Sequence, residues 1–215
     1  MTTQAESRPG PETSESSAAL TAWLASLVHN RNYGSLADLR RPRVRKEPHF
    51  RAIWFSPSEE QEEIYEQVAF LFAVYHQGRG EPAYGYGNLG EAARRIGTGS
   101  KQGPDDPGAA RLVDRIVSSR RIPWRHLQHT VARLRACSAK PPSWALLADD
   151  LSQWNDRKER ISYEWAVAFH MARSRTAGAR TSTLAAVPTA AAPTAAAPTA
   201  VVPTAADTIQ KGTTT

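Results

Sequence analysis

The stretch ARLVDRIVSSRRIPWRHLQHTVARLR, Ala110 to Arg135, decides how this chain reads. It predicts two amphipathic helices joined at Arg120 to Pro123. In the second, Trp124, Leu127, Val131 and Leu134 recur at three- and four-residue spacing and form one apolar stripe. Arg125, His129 and Arg133 recur every four residues on another stripe, roughly opposite Leu127 at about 100° per residue. The stretch holds seven arginines (among them Arg111, Arg115, Arg120 and Arg121) and one acid, Asp114. A helix of this kind buries one face and presents guanidinium groups on the other, a geometry suited to lying along a phosphate backbone. The competing reading is a solvated basic surface, with an arginine bias set by the coding genome.

The chain has 215 residues and a formal net charge of +6. Residues 1–17 are polar and lack apolar periodicity, and 176–215 carry Pro-Thr-Ala repeats at 188, 193, 198 and 203. Both are expected to be disordered, because they hold too little apolar bulk to offset ordering entropy. Without them the net charge is +7, which favours a polyanionic partner and says nothing about fold. Cys137 is the only cysteine, so neither an intrachain disulfide nor a thiolate zinc cluster is expected. With no apolar run of about 18 residues and a polar, acidic start, a cytoplasmic protein without membrane association is expected.

Helical periodicity accounts for the rest. Leu20, Trp23, Leu24, Leu27 and Val28 form one face, Tyr33-Gly34 ends it, and Ser35 is expected to cap a short helix that Pro42 terminates. Arg40, Arg41, Arg43, Arg45, Lys46 and Arg51 make a second basic cluster, expected in a loop because Pro42 and Pro48 interrupt it. Ile53 and Trp54 are expected to be buried. A helix from Pro57 to about His76 buries Ile64, Val68, Leu71, Phe72 and Tyr75. Part of its acidic run, Glu59 to Glu66, suits the helix dipole, the alternative being that it faces a basic partner; either way this face should repel phosphate. The glycine-rich segment 78–87 matches no phosphate-binding pattern and reads as a flexible connector between helical parts at 18–77 and 88–175. Asn88 opens a helix over Leu89–Ile96, and Thr98 to Pro104 is expected to be loop. Asp106-Pro107 caps the helix carrying Arg111. Ser143 caps a helix with Trp144, Leu147, Leu151 and Trp154 in its stripe. Arg157, Lys158 and Arg160 open a last helix burying Ile161, Trp165, Ala168 and Phe169. No strand pattern is present, and the fold class is all-α.

No catalytic constellation emerges. His126 and His129 lack a supporting acid or cysteine at helical spacing, and Asp149 and Asp150 read as helix-surface acids pointing in different directions. No enzyme activity, metal or cofactor is expected. A helix-turn-helix regulator is the alternative function, although the turn contains Pro and no Gly, and only Gln128 offers a base-reading amide. Few aromatics accompany the clusters, which favours backbone contact that is largely independent of sequence.

The order of motifs resembles the CasB family, the small subunits of the type I-E CRISPR Cascade complex. The matching pieces are Trp23, Gly34-Ser35-Leu36-Ala37-Asp38-Leu39-Arg40-Arg41, Asn88-Leu89-Gly90-Glu91-Ala92, Arg111-Leu112-Val113 with His126-Leu127, and Trp144 to Trp154 with Trp165-Ala166. The resemblance implies a non-catalytic, all-helical subunit that self-associates as a head-to-tail pair and contacts the large and backbone subunits. It also implies contact with guide RNA and with target and non-target DNA, stabilising the R-loop and its displaced strand. By resemblance, Arg40, Arg41, Arg111, Arg120, Arg121, Arg157, Lys158 and Arg160 belong to the basic surface. The glutamates after Pro57 depart from the pattern, where some relatives carry an arginine, so no contact is assigned there.

Overall fold

A computed structural model of the chain describes residues 14–41, 44–156 and 160–171. Residues 1–13 of the first segment expected to be disordered and the whole of the second, 176–215, lie outside the described residues, as do 172–175, Arg43, Arg157 and Lys158.

Helix α1 (Glu15–His29) starts within the segment expected to be disordered, because the Ser14 hydroxyl accepts from Ser17 N–H at 3.3 Å and Asp149 holds Ser14 from outside. Leu20, Leu24, Leu27 and Val28 are its buried face. Helix α2 (Tyr33–Leu39) is capped by Asn32, whose Oδ1 accepts from Ser35 N–H at 3.1 Å, so the cap lies three residues ahead of the expected Ser35.

Residues expected to form a loop instead form helix α3 (Glu47–Trp54). Pro48 lies in its first turn, where a missing N–H costs nothing, and His49 Nδ1 accepts from Lys46 N–H at 3.1 Å. That start sets the phase. Pro48, His49 and Ala52 turn inward, and Trp54, two residues past Ala52 and so about 200° around the axis, turns out. Trp54 is 78% exposed and Phe50 57%, which corrects the expectation that Trp54 is buried. Ile53 is half-buried.

A 3₁₀ turn at Glu59–Gln61 leads into helix α4 (Glu62–Tyr75), which packs against α1, α2 and α3 and against two later helices. Tyr65, Phe72 and Tyr75 are almost fully buried along it. Within segment 78–87, Ala83 is held from both sides. Ala83 N–H donates to His76 Nε2 at 2.9 Å, and the Ala83 carbonyl accepts from Trp144 Nε1 at 2.8 Å.

Helix α5 (Leu89–Ala93) is capped by Asn88. A short antiparallel ribbon follows where loop was expected, β1 (Gly97–Thr98) pairing with β2 (Lys101–Gln102) in the register Gly97↔Gln102. Helices α6 (Pro107–Val117), α7 (Trp124–Ala136), α8 (Trp144–Ser152) and α9 (Ile161–His170) complete the fold. α4 packs against α7 and α8, α6 against α7 and α9, and α5 against α9. The α5–α9 crossing is close enough that a Cβ on Gly90 would lie 2.0 Å from the Trp165 carbonyl oxygen. One hydrophobic core runs through these helices from Leu20 to Phe169, so residues either side of segment 78–87 share it.

Candidate nucleic-acid interface

Asp106 caps α6 by accepting from Ala109 N–H at 2.7 Å, with Pro107 behind it, and this sets the helix phase. Ala109, Val113 and Ile116 then face the core, leaving Arg111 and Arg115, one turn apart, exposed. Arg120 and Arg121 are exposed in the turn that follows. In α7, Leu127, Val131 and Leu134 are fully buried with Trp124 packed partly against them, which leaves Arg125 and His129 exposed. The described residues form three ion pairs, Arg45–Glu66, Lys46–Asp38 and Arg133–Asp106. Arg111, Arg115, Arg120, Arg121 and Arg125 belong to none of them.

Arg133 has another job. One of its terminal nitrogens donates to both carboxylate oxygens of Asp106 at 3.1 Å, tying α7 to the N-terminus of α6. The side chain passes so close over Gly108 that a Cβ there would meet its Nη1 at 2.0 Å. The Ala109 N–H and the Arg133 guanidinium hold the Asp106 pKa below the usual carboxylate range. The stripe of Arg125, His129 and Arg133 therefore divides into two exposed side chains and one strut between helices.

Arg45 is likewise committed. Its Nε and Nη2 donate to the two carboxylate oxygens of Glu66 at 3.1 and 2.7 Å, and Glu66 is only 6% exposed. Of the acidic run on this helix, Glu66 faces inward, and Arg45 is its counter-ion. Arg40 is half-buried, donating from Nη1 to the Ala73 carbonyl at 3.4 Å, and Arg41 beside it is exposed. Arg160 precedes α9 in a left-handed conformation (φ 48°), its guanidinium 4.5 Å from the Tyr163 ring centroid.

Several basic residues that sequence reasoning passed over are placed by main-chain carbonyls. Arg135 donates to the Gln77 carbonyl at 2.8 and 3.2 Å, and Arg95 reaches the carbonyls of Tyr86, Lys140 and Pro141. Arg79 lies 4.6 Å from the Tyr75 ring centroid. No local signal could have found the Arg135 contact, because the carbonyl it reaches follows α4 and not its own helix.

Of the adjacent acids on α8, Asp149 is half-buried and Asp150 buried, and both have partners. Asp149 accepts from Ser14 N–H at 2.8 Å and from the Ser14 and Ser17 hydroxyls at 2.7 and 3.0 Å, clasping the start of α1. Asp150, 9% exposed, accepts from Trp165 Nε1 at 2.6 Å, and burial pushes its pKa up to about 7. No group of three or more His, Cys, Asp or Glu converges among the described residues, nor is any helix there long and apolar enough to cross a membrane.

Fold and surface together define an all-helical protein with a rigid core that displays arginines in clusters on helix faces and helix ends. Residues 35–170 match the family model described as CRISPR-associated protein Cse2, and the chain belongs to that family, which includes the CasB small subunits of the type I-E Cascade complex. Among solved structures, a crystal structure of CasB from Thermobifida fusca shares the fold. It has a TM-score of 0.56 and 20% sequence identity, and the match covers 74% of this chain and 100% of that one. No curated protein sequence matches.

Proposed function

We propose that this Cascade subunit holds nucleic acid passively, largely without regard to sequence, and so stabilises the R-loop and its displaced strand. One observation carries the reading: Arg111, Arg115, Arg120, Arg121 and Arg125 stand exposed on α6, the turn and α7, and none has a carboxylate partner among the described residues. His129 and Arg160 add to this surface, and Arg41 to another part of it. Arg43, Arg157 and Lys158 join it on sequence grounds. Arg133 and Arg45 are assigned to the scaffold that holds it. Exchange of the target duplex for a heteroduplex is nearly balanced in energy, so a few neutralised phosphates on the extruded strand suffice to tip it. Assembly beside the large and backbone subunits as a head-to-tail pair, in the cytoplasm, follows from the family resemblance.

The test is the triple variant R111A/R121A/R125A, assayed for single-strand binding as a function of salt and for R-loop lifetime in the assembled complex. Exposed charge contacts contribute modestly one by one, so an affinity loss on the order of tenfold is expected. The log–log salt slope should shrink by about 2, at roughly 0.7 per lost phosphate on a single strand. A triple variant with unaltered affinity, slope and R-loop lifetime would remove this face from the interface.

A further inference from the structure

Helix α3 turns two large aromatic side chains outward. Phe50 and Trp54, one turn apart, are 57% and 78% exposed, and Glu47 and Arg51 stand exposed on the same face. The start of the helix fixes this phase, because Pro48, His49 and Ala52 take the inward positions. Trp54 is also held from behind. Its ring meets Phe55 edge-on, with centroids 5.5 Å apart at 70°, and Phe55 lies 5.7 Å from Trp23 at 34°. Trp23 and Phe55 both pack against the core, so a ladder of three rings runs outward and ends on an exposed indole.

Acids from the next helix join this patch. Residues 55–58 are the whole connection between α3 and the 3₁₀ turn that opens α4, and the two helices pack together. Glu59, Glu60 and Glu63 are exposed there. With Glu47 they set four negative charges against the one positive charge of Arg51, a local balance of −3 in a chain of net charge +6. Arg45 and Lys46, just ahead of α3, are paired with Glu66 and Asp38. Helix dipoles favour acids at the starts of α3 and α4, but they give no reason for an indole held in water. A fixed aromatic anchor beside a charged rim is the anatomy of a protein interface. The sign of that rim turns phosphate away and attracts the lysines and arginines of another protein.

We infer that Phe50 and Trp54, with Glu47, Glu59, Glu60 and Glu63 at their rim, dock a neighbouring protein subunit that offers an apolar pocket edged by lysine or arginine. The inference goes beyond the nucleic-acid role, which assigns no residue of this chain to a protein contact. It rests on that role in one respect: the basic α6–α7 face is left to phosphate, so the acidic rim meets a different protein and not a second copy of this chain. Trp54 fills the pocket, and the ladder behind it spares the interface much of the entropy of ordering an exposed side chain. The carboxylates steer the approach and set its orientation, acting mainly on the association rate.

The test uses the full chain and a Cascade complex assembled without this subunit, and follows the rate and affinity of incorporation. W54S should lower affinity on the order of thirtyfold, as truncation of a central aromatic anchor does, while W54F retains most of it. E59K/E60K should slow association several-fold at low salt, the difference fading as salt screens the rim. Trp54 is exposed, so W54S should keep the thermal midpoint and the oligo-deoxythymidine affinity of wild type, and E59K/E60K carries the test should W54S fail to fold. R111A/R121A/R125A should incorporate normally, so failure of the nucleic-acid reading would show in its oligonucleotide affinity and not in assembly. Unaltered incorporation of W54S and E59K/E60K would overturn the inference. Self-association of the free chain abolished by W54S would hand the patch to a second copy, and lost oligonucleotide binding with normal incorporation would make it a base-stacking platform; either result overturns the inference too.

Discussion

At the scale of the residue, an arginine in this protein is defined by what its guanidinium meets. Arg45 neutralises a carboxylate that is nearly inaccessible to water, and an unpaired buried charge is costlier than a removed pair. R45A is therefore expected to lower the thermal midpoint more than the double variant R45A/E66Q, measured side by side at neutral pH and low salt. If E66Q failed to recover any of the loss, Arg45 would act through something other than its charge. His76 shows the same dependence on surroundings. Its Nε2 accepts from Ala83 N–H, so the proton sits on Nδ1, which donates to the Phe72 carbonyl at 2.9 Å. The ring is neutral, and burial lowers its pKa to about 4.

At the scale of the element, close approach decides which helices can cross. α5 meets α9 at Gly90, where the obstacle to a side chain is backbone, the Trp165 carbonyl, and backbone cannot swing aside. G90A should cost on the order of 1–3 kcal/mol, as overpacking does, read from denaturant midpoints. An unchanged midpoint would mean the crossing is looser than its geometry. At Gly108 the obstacle is the flexible tip of Arg133, so the same substitution there should be milder. Helix α3 makes the complementary point. Its existence and phase follow from a capped start and from docking on α4, while its sequence, with Pro42 ahead of it and Pro48 in its first turn, reads as loop.

For the whole molecule, two buried titrating groups set opposite pH dependences. Asp150 has a folded pKa of about 7, raised from 3.8, so between those values the folded state holds a proton that the unfolded state lacks. Its contribution falls as pH rises across that window. His76 has a folded pKa of about 4, lowered from 6.5, so there the unfolded state holds the extra proton and stability falls as pH drops. Between about pH 4 and 6.5 the two slopes oppose each other. D150N keeps an acceptor for Trp165 Nε1 and removes one titration, so it should expose the acid sensitivity of His76. The unfolding free energy of D150N from urea titrations should fall from pH 6.5 towards pH 4 by up to about 1.4 kcal/mol per pH unit relative to wild type. Parallel profiles for the two proteins would show that Asp150 does not titrate in this range.

The sequence by itself determined the all-helical class, the buried stripes of α1, α4, α7, α8 and α9, and the caps Asp106, Asn88 and Ser143, because periodicity and capping are local, written within a turn or two of chain. It also placed the basic clusters. Only the tertiary structure decided which arginines remain available and which are spent: Arg45 meets Glu66 21 residues away, Arg133 meets Asp106 27 residues away, and Arg40 and Arg135 converge on a helix that belongs to neither. An ion pair depends on distance in space, and nothing in the spacing of charges along a chain reports it until the helices have packed.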